Sequence, residues 1–115
     1  MKREQAVINK VEFAKALADE TRQQIMSLCC CKWLSVNEIA DNLDVVQPTV
    51  SHHLKILKSA DLVHAKRNGK QILYTLNQEN LAKACCQVAA DFAPDQPVTL
   101  QINESESFQP GNLSE

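Results

Sequence analysis

Five cysteines are the residues of this chain whose type and spacing could do chemistry: Cys29, Cys30 and Cys31 are consecutive, and Cys85 and Cys86 are adjacent. Thiolates are soft ligands that favour soft acceptors such as As(III), Sb(III), Cd(II), Cu(I) or Zn(II). As(III) takes three thiolates in a trigonal pyramid, so a neighbouring pair plus one more sulfur would hold it. A regular helix splays adjacent side chains by ~100°, but a fraying helix end around Cys29 to Cys31 relaxes that constraint. Either cluster alone, or both together, could form the site. A single cysteine on an apolar stripe is most simply a small buried hydrophobe, which is how Cys29 and Cys85 read individually. Two contiguous clusters in one small domain point instead to metal(loid) sensing, with thiol oxidation as the alternative.

The thiols are expected to be free. The start Met1-Lys2-Arg3-Glu4-Gln5 leads into an amphipathic stretch instead of a signal-peptide core, and no apolar run approaches the ~20 residues of a membrane span. The expected location is therefore the reducing cytoplasm, where disulfides are rare, and the odd count argues against a disulfide framework. The three histidines are not assigned to a metal: His52 and His53 face different directions on one helix, and His64 lies in a strand. An enzyme would need a nucleophile paired with a base, and Cys29 to Cys31 beside His52 or His53 could suggest one. With two glycines in the whole chain, no oxyanion hole or glycine-rich turn accompanies such a pair, so the chain reads as no enzyme.

The elements that must position these residues fit one domain of 115 residues, with 44% hydrophobic but only 4% aromatic content, hence an aliphatic core. The formal net charge of −2 conceals a basic module. Residues 46–76 carry Lys55, Lys58, Lys66, Arg67 and Lys70 against Asp61 alone, so the excess positive charge sits in one segment. From Pro94 onward the chain holds Asp95, Glu104, Glu106 and Glu115 with no lysine or arginine. The organisation is thus a folded domain over residues 1–93 and an acidic, disordered tail over 94–115.

Apolar spacing predicts a first helix over residues 4–18, broad-faced through Ala6, Val7, Ile8, Val11, Phe13, Ala14, Leu17 and Ala18. Asp19 caps a second helix, with Ile25, Leu28 and Cys29 on one face, which ends near Cys31 to Trp33. Ser35 and Glu38 form a capping box opening a third helix to Leu43, with Ile39, Ala40 and Leu43 inward. Pro48 suits the first turn of a fourth helix that runs to about Ser59, with Val50, Leu54 and Leu57 buried. Asn68-Gly69 between two extended runs signals a β-hairpin with a type I′ turn, and Ile72, Tyr74 and Leu76 alternate as its buried face. Asn77 caps a last helix to Phe92, stopped by Pro94.

That last helix is apolar around most of its circumference, so it must be covered on two sides. In a domain this small, the second cover is a second copy, giving a two-fold dimer through the first and last helices. The fold class is therefore mainly α with a β-hairpin wing: a winged helix-turn-helix of five helices. Its fourth helix would enter a major groove with Gln47, Thr49, Ser51, His52 and Lys55 facing base edges or phosphates. Lys66, Arg67 and Lys70 at the wing would contact phosphates. A solvated helix face with an ordinary hairpin, or a wing that binds protein, would produce similar charge runs; the whole architecture favours double-stranded DNA.

Four segments carry a resemblance to a known family: Ala16-Leu-Ala-Asp-Glu-Thr-Arg22, Leu34-Ser-Val-Asn-Glu-Ile-Ala40, Gln47-Pro-Thr-Val-Ser-His-His-Leu-Lys-Ile-Leu57 and Gly69-Lys-Gln-Ile-Leu-Tyr-Thr-Leu76. Over residues 6–93 the chain resembles the ArsR/SmtB winged-helix repressors. The resemblance implies a homodimeric repressor that needs no cofactor to bind operator DNA and releases it on meeting a metal(loid) or on thiol modification. It places base reading at Gln47, Thr49, Ser51 and His52. The family's sensing sites do not carry over. The positions of the arsenic-site Cys-x-Cys hold Ser35 and Asn37. Those of the zinc site hold Gln78, Asn80, Asp91 and Pro94, and those of the redox pair hold Ser27 and Ala93. Cys29, Cys30, Cys31, Cys85 and Cys86 are left as the candidate ligands, with As(III) as the leading inducer.

Overall fold

A computed structural model of the protein describes residues 9–96, and four of its five helices start on a side-chain cap. The order is α1 (Lys10–Leu17), α2 (Glu20–Leu28), β1 (Leu34–Ser35), α3 (Val36–Leu43), α4 (Gln47–Ser59), β2 (Val63–Asn68), β3 (Gln71–Leu76) and α5 (Gln78–Phe92). Asn9 accepts from the Glu12 amide, Asp19 from that of Arg22 and Asn77 from that of Asn80. Ser35 and Glu38 complete the reciprocal capping box. Each cap satisfies amides that an isolated helix leaves without partners. The first helix begins at Lys10 instead of residue 4, because Asn9 is extended and its side chain caps the turn that follows. Ala6, Val7 and Ile8 lie outside the described residues, as does the tail from position 97. The second helix stops at Leu28 with Cys29 as its C-cap, earlier than apolar spacing predicts.

The hairpin has a third strand. β1 pairs antiparallel with β3, Leu34 opposite Tyr74 and Ser35 opposite Leu73, so the sheet order is β1-β3-β2. The turn is also shifted by one residue from the Asn68-Gly69 expectation. Asn68 pairs with Gln71, leaving Gly69 and Lys70 as the tip, and Gly69 alone has positive φ, +67°. Glycine in the first of the two central positions meets the type II′ requirement, whereas type I′ would need positive φ at both. Of the expected buried face of β3, Leu76 is buried and Tyr74 half-buried, but Ile72 is 39% exposed. Ile72 sits close to the tip, one position from Gln71 and opposite the exposed Arg67.

The core gathers Ile25, Ile39, Val50, Leu54, Leu57 and Leu62, all fully buried, together with Phe13, Ala16 and Ala84. Burying each large aliphatic side chain contributes roughly 1.5–3 kcal/mol, so helices α2 to α4 are held chiefly by this cluster. Among the described residues, two besides glycine take positive φ, Asp44 at the C-cap of α3 (φ 56°) and Asp61 just after α4 (φ 60°). They bracket α4 at its two ends. Buried Asn77 ties the start of α5 to the second of these by donating to the Asp61 carbonyl, 3.2 Å. The result is the winged helix-turn-helix architecture that the element order implies.

Candidate nucleic-acid interface and thiol cluster

Helix α4 buries Val50, Leu54 and Leu57, and that fixed inward stripe turns Gln47, Thr49, Ser51, His52 and Lys55 outward, all of them exposed. The first turn carries Pro48 and no acidic residue, and no side chain caps it. The positive end of the helix dipole is thus left uncompensated on the polar face. Val46, the N-cap, is 67% exposed. Apolar spacing gave no reason to single it out, yet an exposed apolar side chain beside the polar face of α4 is of a kind that can contact a thymine methyl.

The angle of α4 is set from the other side by Arg22. Its Nε donates to the Ala16 carbonyl (2.8 Å), Nη2 to the Lys15 carbonyl (2.9 Å) and Nη1 to Nδ1 of His53 (3.0 Å). One guanidinium therefore joins the end of α1, the start of α2 and the middle of α4. Since arginine only donates, His53 must accept at Nδ1 and carry its proton on Nε2. Partial burial is the largest cause that holds His53 below the usual histidine range, with Arg22 and His52 acting the same way and Asp19 opposing them. The stability this neutral ring supplies is full above the ordinary histidine pKa of about 6.5 and is lost as pH falls through the lower folded value. Urea midpoints at about pH 7.5 and 5.5 should fall further with acid in the natural protein than in His53→Gln; equal falls would mean that His53 plays no part in the acid response.

In the wing, Lys66, Arg67 and Lys70 are all exposed. Lys66 is not simply solvated: its Nζ lies 4.2 Å from the centre of the Trp33 ring. Such an exposed cation–π contact contributes about 0.5–1 kcal/mol, enough to bias where the ammonium points. Arg67 donates to the Gly69 carbonyl, 3.4 Å, and Lys70 occupies the turn itself. Sequence reasoning missed Trp33. Its partner lies across the sheet, and nothing in local spacing announces it.

The structure divides the thiols. Cys29 is fully buried in the core, and burial above all, with the neighbouring Cys30 acting the same way, pushes its thiol up to about 11. The idea that three consecutive cysteines make a three-thiolate site is not met within one chain. Cys30 and Cys31 lie beyond the end of α2, free of helical splay, and their Sγ atoms are 2.8 Å apart. Cys31 is exposed and Cys30 half-buried. Their shared hydrogen bond, and then burial, hold the Cys30 thiol above the ordinary range. Gln78 at the start of α5 donates to the Cys30 carbonyl (2.6 Å) and stands 3.7 Å from the Cys31 sulfur. Cys85 and Cys86 sit within regular α5, the first exposed and raised by partial desolvation, the second half-buried. Among the described residues, no group of three or more His, Cys, Asp or Glu side chains converges as a metal cage would require.

Beyond this geometry, residues 19–65 match the family described as bacterial regulatory protein, arsR family. The chain is 38% identical over 63 residues to the transcriptional repressor SdpR of Bacillus subtilis, covering 55% of this chain and 70% of that one. It is 37% identical over 67 residues to the arsenical resistance operon repressor of Staphylococcus xylosus, covering 58% of this chain and 64% of that one. Among solved structures, it is similar to a homodimeric winged helix-turn-helix DNA-binding domain from Mycobacterium bovis, a possible ArsR-family transcriptional regulator. There the TM-score is 0.59 and the identity 35%, over 70% of this chain and 77% of the other. These relatives are transcriptional regulators, not enzymes.

Proposed function

Because the chain belongs to the ArsR family of bacterial winged-helix regulators, we propose that it is a cytoplasmic, homodimeric repressor that binds duplex operator DNA and releases it when its thiols take up a soft metal(loid), As(III) foremost. The observation that carries DNA binding is the two-sided character of α4: one face buried in the core, the other presenting five polar side chains next to a basic wing. Gln47, Thr49, Ser51 and His52 read base edges, while Lys55, Lys66, Arg67 and Lys70 hold phosphates. No helix among the described residues is long and apolar enough to cross a membrane.

Dimerisation runs through α1 and α5. Val11 on α1 is 64% exposed and Phe92 on α5 is 74% exposed, and Ala84 is the only buried residue of α5 within a single chain. An apolar helix left this bare needs a second cover, and a two-fold axis supplies one. Lys10 and Asp91, 2.6 Å apart, clamp the two helices together and fix the surface they share.

Mobility-shift assays on selected duplexes test the reading. Ser51→Ala and His52→Ala should change preference at particular base pairs by roughly 1–3 kcal/mol, and As(III) should free the DNA. Protein that binds DNA but keeps it in As(III), Cd(II) and Zn(II) would be a ligand-independent repressor. The 2.8 Å thiol pair also favours a second reading, in which an oxidant frees the DNA and a reductant restores binding.

A further inference from the structure

We infer that Cys30 and Cys31 together bind a trivalent organoarsenical through two sulfurs, with its carbon substituent in the adjoining apolar groove, and that Trp33 couples this site to the wing. The inference rests on the thiol-induced release proposed above and names the site and the ligand class.

The sulfurs of Cys30 and Cys31 are already 2.8 Å apart at the chain's surface, beyond the helix that would otherwise separate them. They form a pair and not a triad: Cys29 is sealed in the core, and no third His, Cys, Asp or Glu among the described residues joins the pair. A site with two sulfurs suits a ligand that brings its own third substituent. Cys30 also borders an open groove of about 520 Å³ lined mainly by Leu17, Met26, Leu76 and Leu81, with Gln23 and Ser27 as its polar members, which would take a methyl or phenyl group largely out of water.

The chemistry balances without any redox partner. An arsenical R–As(OH)2 condenses with the two thiols: two As–S bonds form and two As–O bonds break. Each thiol proton leaves with a hydroxide as water, and arsenic stays trivalent throughout.

The link to the wing is short. Cys31 is two residues from Trp33, whose ring carries the Lys66 ammonium at 4.2 Å. Just before the pair, the Cys29 carbonyl accepts from the Leu76 amide (2.9 Å) and from the Thr75 hydroxyl (3.0 Å), so the segment is pinned to β3. Gln78 pins it to α5 through the Cys30 carbonyl. Drawing the two sulfurs around one arsenic atom reshapes the short stretch between these pins and Trp33, and Lys66 moves with the ring.

Trp33 is the only tryptophan, so its emission reports on the site independently of DNA. The 115-residue chain is titrated with phenylarsine oxide and, separately, with arsenite, following Trp33 fluorescence and thiols still reactive to a disulfide reagent. One equivalent of phenylarsine oxide per chain should remove two of the five thiols and change the emission, at concentrations at least tenfold lower than arsenite requires. Cys30→Ser and Cys31→Ser should each abolish the response, while Cys85→Ser/Cys86→Ser keeps it. Cys31 is exposed, so its variant decides the matter should Cys30→Ser fail to fold. A response that survives Cys31→Ser, or arsenite binding more tightly than phenylarsine oxide, overturns the inference. Release of DNA that depends on Cys85 and Cys86 alone overturns this site but keeps thiol-induced release. Two-thiol binding without DNA release supports the site and overturns the induction reading.

Discussion

Replacing Lys66, Arg67 and Lys70 by alanine in one variant should lower affinity for duplex DNA by roughly 10²-fold at physiological salt, and by the same factor for every sequence tried. In the proposed docking the wing meets the phosphate backbone, which is chemically uniform, so its loss should weaken binding without altering preference. The salt dependence gives the sharper reading. Each phosphate neutralised by a lysine or arginine contributes about 0.9 to the slope of log K against log salt, so the variant should show a slope shallower by roughly that amount for every phosphate the wing no longer neutralises. Anisotropy titrations across a salt series measure both quantities. A variant with the natural slope, or with altered base preference, would mean that the wing does not lie along the backbone. Trp33→Ala should share a fraction of this loss, because it frees the Lys66 ammonium from its ring without removing the charge.

The second large effect concerns stability. Arg22→Ala should destabilise the fold by about 2–4 kcal/mol: hydrogen bonds from a charged donor contribute about 1.5–3 kcal/mol each, and of the three this side chain makes, two are only part-buried and one is exposed, so water recovers much of their sum. Against a total stability of about 5–15 kcal/mol for a domain of this kind, that is a large share. Lysine should not rescue it: a single ammonium lacks the planar fork that reaches two carbonyls and an imidazole together. Urea unfolding followed by circular dichroism gives the answer. An unchanged midpoint would show that water replaces the guanidinium at little cost. His53→Gln removes one of the three bonds and should cost correspondingly less.

What could be foreseen from the residues was what neighbouring residues decide. Asp19, the Ser35 and Glu38 box and Asn77 act on amides three positions away, and each cap stands where its sequence pattern puts it. The buried stripe of α4 follows from helical spacing, and with it the outward face of Gln47, Thr49, Ser51, His52 and Lys55. What escaped depends on contacts across the chain. β1 is two residues long, too short for alternation to appear, and owes its extended form to pairing with β3. The reach of Arg22 to His53 spans 31 positions. Cys29 and Cys30 differ by one residue and share a side-chain type, yet one closes the core and the other opens to the surface. The point where α2 stops separates them, and apolar spacing placed that point a few residues late.

The two left-handed aspartates at the ends of α4 bear on how such a protein can change over generations. At positive φ an ordinary side chain stores strain of order 1 kcal/mol or more, yet it leaves the unfolded chain fewer conformations than glycine would. Asp44, closing α3, and Asp61, just after α4, therefore hold the turns on either side of α4 more stiffly than glycine would. A glycine in either place would relieve strain and restore chain entropy in comparable measure, with little net change in stability but a freer helix. Under the proposed docking, the exposed residues of α4 can be exchanged without unfolding the scaffold, and Asp44→Gly or Asp61→Gly should loosen DNA preference while leaving stability nearly unchanged.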